Sequence, residues 1–182
     1  WCDADVGKKS WEPFLFKRMT QLSEDICLLD EKQSAVSIPM IFRAVFEAQV
    51  DLFLILEDEN FCKLLEYQGL KQKLKIQTDA DLLAYGIERV PGSQLKKDKI
   101  RMRDLEEMDH EYVKGFNFQR KLEIAFDGVE ENWEELYVTY RVMANYVHGT
   151  AYSPKELIKM SQKCMWFLVV LLELTLTRVT PE

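Results

Sequence analysis

Hydrophobic positions recur along most of this chain at intervals of three and four, the period of a helix with one buried face. Phe14, Phe16, Met19, Leu22, Ile26 and Leu29 make such a stripe through a first helix over 10–33, with Ser10 as its cap and Pro13 in its first turn. A second helix over 37–58 opens at Ser37-Ile-Pro39. It is apolar on most sides (Ile41, Phe42, Val45, Phe46, Val50 and the run Leu52 to Leu56), the pattern of a central, buried helix. A third, over 59–77, carries Phe61, Leu64, Leu65, Tyr67, Leu70 and Leu74 with more charge between them, so it is less buried. Thr78-Asp-Ala-Asp81 then caps a short helix to Arg89, which Pro91-Gly-Ser93 breaks. From 96 to 109 charges crowd without a clean apolar period, the pattern of a solvated helix or a mobile segment.

Residues 110–126 regain apolar character around Gly115, and 131–149 form a helix of about five turns that Gly149 stops in the left-handed region. Ser153-Pro-Lys-Glu156 has the spacing of a capping box and launches a last helix over 153–178. Within it Cys164 to Leu172 is continuously apolar, but Glu173 ends the run at nine residues. That is well short of the roughly 18 that span a bilayer, so no membrane association is expected. Ile38 to Leu56 and Cys164 to Leu176 are expected to be largely buried, the latter in the middle of the bundle or against a second copy. Together these elements predict one all-α domain over 1–182, a bundle of about six helices without a sheet.

Composition narrows the function. Seven glycines and five prolines in 182 residues favour long helices over many turns. A net charge of −7 excludes a generally basic face and with it tight non-specific binding to nucleic acid, while leaving room for a local basic patch. The four cysteines, at 2, 27, 62 and 164, have no Cys-x-x-Cys spacing and read as reduced thiols of a cytoplasmic protein, buried as small apolar groups apart from Cys2. Cys2 to Ser10 is too polar for a signal peptide, and the opening at Trp1 leads us to expect a native start further upstream.

The candidate chemistry lies on two polar stripes. Tyr137, Arg141, Asn145 and His148, spaced by four, four and three, share one face of the 131–149 helix. Arg43, Glu47 and Asp51, each four apart, share a face of the central helix, where charges need partners. An Arg43–Glu47 pair within the helix is the simplest arrangement, and the stripe is also placed to face and tune the Arg141–His148 column. A second Arg-x6-His spacing, Arg103 to His110, falls in the charged segment, where both side chains are most simply solvated. Glu107-Met-Asp-His110 is half of a di-metal carboxylate site, but Asn145 stands where the second motif requires Glu. Neither a nucleophile elbow nor a phosphate-cradling glycine loop is present, so no metal and no cofactor is expected.

Arg141-x6-His148 resembles the Arg-x(4–6)-His motif of HEPN domains, all-helical bundles many of which are metal-independent ribonucleases. The resemblance implies that His148 acts as general base or acid on the ribose 2′-hydroxyl and the leaving oxygen. It implies that Arg141 holds the phosphate, with Asn145 in the same column and Tyr137, Arg43 and Glu47 in support. It further implies a homodimer in a toxin or defence system, with RNA as substrate and an antitoxin or other protein as partner. A non-catalytic homodimeric interaction or nucleotide-binding module of the same fold is the alternative. The neighbourhood is also similar to an uncharacterised, mainly bacterial helical family that carries Tyr-Arg-x-x-Ser-x-Tyr-x-His-Gly and an earlier Arg-x-x-x-Glu. Arg43-Ala-Val-Phe-Glu47 matches the latter, and Ala144 stands in place of the serine.

Overall fold

The computed structural model describes residues 8–32, 37–58, 60–78, 88–108, 117–127, 133–147 and 153–179. All seven elements among them are helices: α1 (Lys8–Glu31), α2 (Ile38–Glu57), α3 (Phe61–Thr78), α4 (Gly92–Met108), α5 (Phe118–Ala125), α6 (Trp133–Val147) and α7 (Pro154–Val179). The predicted short helix after Thr78, most of the 110–126 segment's first half, His110, Gly149 and Cys2 lie outside the described residues.

Helix α2 is the axis of the bundle. It packs along α1 and against α3, α5, α6 and α7. Twelve of its residues are buried, and Val45, Val50, Leu52, Phe53 and Ile55 have no accessible surface. A helix apolar on every side is stable only when neighbours cover every side, which accounts for this position. Leu15, Met19 and Ile26 of α1, Leu122 and Ala125 of α5, Met143 of α6 and Cys164, Leu168 and Leu171 of α7 complete the core. Phe126 sits edge-to-face on Phe53, ring centres 5.7 Å apart. Arg178, near the end of α7, lays its guanidinium 4.3 Å over the Phe53 ring and donates to the Ala125 carbonyl at 2.8 Å.

The helix ends follow local chemistry. Glu156 accepts from the Ser153 amide and hydroxyl at 2.8 and 2.7 Å, and the Ser153 oxygen accepts from the Glu156 amide at 3.4 Å, closing the expected capping box. Those bonds from Ser153 hold the Glu156 carboxyl below its ordinary value. Asn117 caps α5 by accepting from the Arg120 amide at 2.9 Å. Ser37 stands at the start of α2 with Pro39 in the first turn, but its side chain makes no capping bond. Helix α1 begins at Lys8, before the expected cap Ser10, so Pro13 lies inside it. There its ring forfeits the hydrogen bond to the carbonyl four residues back.

Two expectations need adjusting. Of the two readings of the charged 96–109 segment the helix is the one present, as α4, and it makes the count among the described residues seven rather than about six. It packs on α3 mainly through polar ties. Arg101 grips both oxygens of Glu66 at 2.8 and 2.9 Å, Lys73 meets Asp98 at 2.6 Å, and the Tyr67 hydroxyl donates to Glu106 at 2.6 Å. Leu105, 1% exposed, supplies the apolar contact with Tyr67. The second correction concerns α7, which buries only one face: Trp166 is 63% exposed, Val169 55% and Leu176 56%. Cys27, likewise, is exposed, whereas Cys62 and Cys164 are buried.

If α2 is the axis, Phe53→Ala removes a ring with no accessible surface and strands the Arg178 cation above a void. Urea unfolding should show a loss of about 3–5 kcal/mol. A loss under about 1 kcal/mol would contradict this packing.

Candidate functional site

Helix α6 has two different faces. Its inner face carries Leu136, Met143 and Tyr140 toward α2, α5 and α7. Tyr140 stacks on Phe118 of α5 at 3.9 Å and 27°, tilts against Phe46 of α2 at 6.4 Å, and stacks beside Tyr137 at 6.5 Å. Its hydroxyl closes a triangle with α2. Arg43 Nε donates to Glu47 Oε1 at 2.9 Å, Arg43 Nη2 donates to the Tyr140 oxygen at 2.9 Å, and the Tyr140 hydroxyl donates to Glu47 Oε1 at 2.8 Å. The Arg43 guanidinium also lies 5.0 Å over the Tyr140 ring.

The charges in this triangle shape its protonation. Burial and the bond to the Glu47 carboxylate push the Tyr140 phenol up to about 12 from an ordinary value of 10.0. Burial works to lower Arg43, but its bonds and charge contacts with Glu47 and Tyr140 outweigh that and leave it raised. The cluster is therefore a cation, an anion and a neutral phenol, each engaged by the other two. It fastens α6 to α2 at a fixed rotation.

The outer face carries part of the column: Arg141 and Asn145 are exposed, whereas Tyr137 is half-buried and packs against the core. Arg141 makes no ion pair with any described residue, because the carboxylate nearest in expectation, Glu47, is taken by Arg43 and Tyr140. His148 lies outside the described residues. The expected pair Arg43–Glu47 is present. The third member of that stripe, Asp51, turns elsewhere and meets Lys121 of α5 at 2.6 Å, with Gln68 of α3 accepting from the same ammonium at 3.3 Å. Burial raises the Asp51 carboxyl, against the pull of Lys121.

Sequence reasoning missed Tyr140 and Lys121, which hold these two pairs in place. Two signals pointed to Tyr140: it is the first residue of the Tyr-Arg-x-x-Ser-x-Tyr-x-His-Gly pattern, and it follows Tyr137 by three, next to the column but rotated toward the core. Cys164 is not a second nucleophile: burial pushes its thiol up to about 12, and it lies 3.8 Å from the Met143 sulfur. Arg103 is 66% exposed, with only a long 3.8 Å contact to Glu107. No group of three His, Cys, Asp or Glu among the described residues is arranged to hold a metal ion. An apolar void of ≈ 10 Å³ behind Phe46, Leu136 and Met143 is about the size of one water, too small for a small-molecule ligand.

A family model described as a family of unknown function, DUF5677, matches residues 13–163. No curated protein and no solved structure matches the chain.

The two faces should respond differently to substitution. Tyr140→Phe keeps the stacked ring but takes one hydrogen bond each from Glu47 and Arg43, which keep their own pair, and should cost about 1–3 kcal/mol by urea unfolding. Arg141→Ala should stay within about 0.5 kcal/mol of the parent. The Tyr140 phenol is raised in the folded state, so its contribution is complete below the unfolded value near 10 and fades as pH rises through about 12. The Tyr140→Phe penalty should therefore shrink between pH 10 and 12, and a constant penalty across that window would contradict the triangle.

Proposed function

The chain belongs to the family of unknown function DUF5677, and we propose that it is a HEPN-like RNA-cleaving domain that works without a metal. One observation carries the reading: Arg141 is exposed on a helix that Arg43, Glu47 and Tyr140 lock to α2 about 100° further round. A guanidinium with a structural role would be among the partners of Glu47. On a rigid, fixed helix it is instead placed to meet a phosphate from solvent. In this reading Arg141 neutralises the phosphodiester, Asn145 one turn on orients it, and His148 moves the proton between the attacking 2′-hydroxyl and the leaving oxygen.

The distribution of charge supports an RNA substrate despite the net −7. Helices α3 and α4 together hold nine Lys and Arg against five Asp and Glu. Three of those acids, Glu66, Asp98 and Glu107, pair with Arg101, Lys73 and Arg103, so the two helices keep an excess of four positive charges, nine against five. Lys96, Lys97, Lys99 and Arg103 are exposed on α4. The hairpin is thus a cationic surface on an acidic protein. A non-catalytic interaction module is the second reading, and the uncovered apolar face of α7 favours it.

Incubation with a labelled single-stranded RNA in excess chelator should give fragments with 2′,3′-cyclic phosphate ends. Arg141→Ala and His148→Ala should each lower the rate by about 10²–10⁴-fold with little change in melting temperature. A parent protein without cleavage, or activity that persists in both variants, would overturn the reading and favour the interaction module. Reversing Lys96, Lys97 and Lys99 to Glu should weaken RNA binding at low salt and flatten its salt dependence.

A further inference from the structure

Helix α7 presents its two faces to different surroundings. Ser161, Cys164, Leu168, Leu171 and Thr175 turn into the core. Roughly 100–180° around the helix, Ile158, Trp166, Val169 and Leu176 are 52%, 63%, 55% and 56% exposed. They account for four of the ten large hydrophobic side chains exposed among the described residues, and they form one stripe. It runs for about 27 Å of helix at 1.5 Å per residue. A solvated helix face does not need an indole at its centre, whereas the middle of a protein interface is where Trp is enriched.

The order of side chains along the stripe identifies the occupant. Read from either end it is nearly the same: an aliphatic side chain (Ile158 or Leu176) at each end, and Trp166 with Val169 at the middle. Its charges are not mirrored. Exposed Lys159 and Lys163 lie in the first half and exposed Glu173 in the second. Lys163 is held in place with its ammonium 5.7 Å from the Phe167 ring, which also packs edge-to-face with Trp166 at 5.0 Å. A second α7 running antiparallel sets apolar ends against apolar ends, Trp166 against Val169, and the lysines beside Glu173. A parallel copy would set Glu173 on Glu173 and Lys163 on Lys163, opposing like charges.

We propose that α7 forms an isologous, antiparallel interface with α7 of a second copy of this chain, about a twofold axis beside residues 167 and 168. The proposal does not rest on RNA cleavage, and it stands or falls on assembly alone.

The test uses the full chain with Cys2→Ser and Cys27→Ser, leaving the buried Cys62 and Cys164. Sedimentation equilibrium at tens of micromolar should give twice the 21.5 kDa chain mass. Under mild oxidation, Val169→Cys, near the axis, should cross-link to its own copy. Ile158→Cys alone should not, but mixed with Leu176→Cys it should form the mixed dimer, because disulfides need Cα atoms within about 7 Å. Glu173→Lys should raise the dimer dissociation constant by about tenfold, and adding Lys163→Glu should restore it. A species at 21.5 kDa only, or self-cross-linking of Ile158→Cys with none at Val169→Cys, would overturn the proposal.

Discussion

Helix α2 cannot face water over most of its circumference, and nearly every other feature of the fold answers that constraint. Helices α1, α3, α5, α6 and α7 surround it because no smaller set of neighbours would cover its sides. Burial on this scale makes each polar group on α2 a liability unless it is matched. Arg43 and Glu47 are matched by Tyr140 and Asp51 by Lys121, while fully buried Gln49 is matched through its Nε2, which donates to the Leu171 carbonyl at 2.6 Å and to Thr175 at 3.0 Å, its Oε1 having no partner. Each match reaches a different helix. The polar residues of α2 therefore specify how α6, α5 and α7 dock, where apolar contact alone would tolerate sliding.

The proposed function rests on the first of these matches. Because Tyr140 reaches inward to α2, the adjacent Arg141 is carried outward by the helical turn. The structural cation and the one proposed to act on substrate are thereby separated: Arg43 is held by a carboxylate and a phenol, and Arg141 is exposed to solvent. A substrate phosphate meeting Arg141 would find a donor on a helix that does not rotate. That is the preorganisation a phosphoryl site requires.

The parts legible in the sequence were those fixed by local pattern. The buried character of α2 was plain from its unbroken apolar content, and the capping box at Ser153 from its spacing. The Arg43–Glu47 pair was plain from its four-residue interval. What was not legible depends on tertiary partners. Helix α4 could be read either as a solvated helix or as a mobile segment because its attachment to α3 runs through Arg101–Glu66 and Lys73–Asp98, and ionic contacts leave no apolar period. The apolar run on α7 showed that the helix is hydrophobic but not which part of it the bundle covers, so the exposure of Trp166 within this chain was not legible. Tyr140 was overlooked for a related reason: a tyrosine inside a helix declares its ring, while the use of its hydroxyl is set by a residue 97 positions away.

The central claim is that two arginines separated by one helix packing have opposite roles. Side-chain NMR of ¹⁵N-arginine protein measures it directly, with a short RNA made uncleavable by 2′-deoxy substitution as the ligand. The account predicts that the Arg141 Nε–Hε resonance shifts on titration and is lost from the spectrum in Arg141→Lys. Arg43, hydrogen-bonded to Glu47, should stay unmoved and slow to exchange with water. An RNA-dependent shift at Arg43 with none at Arg141 would contradict it.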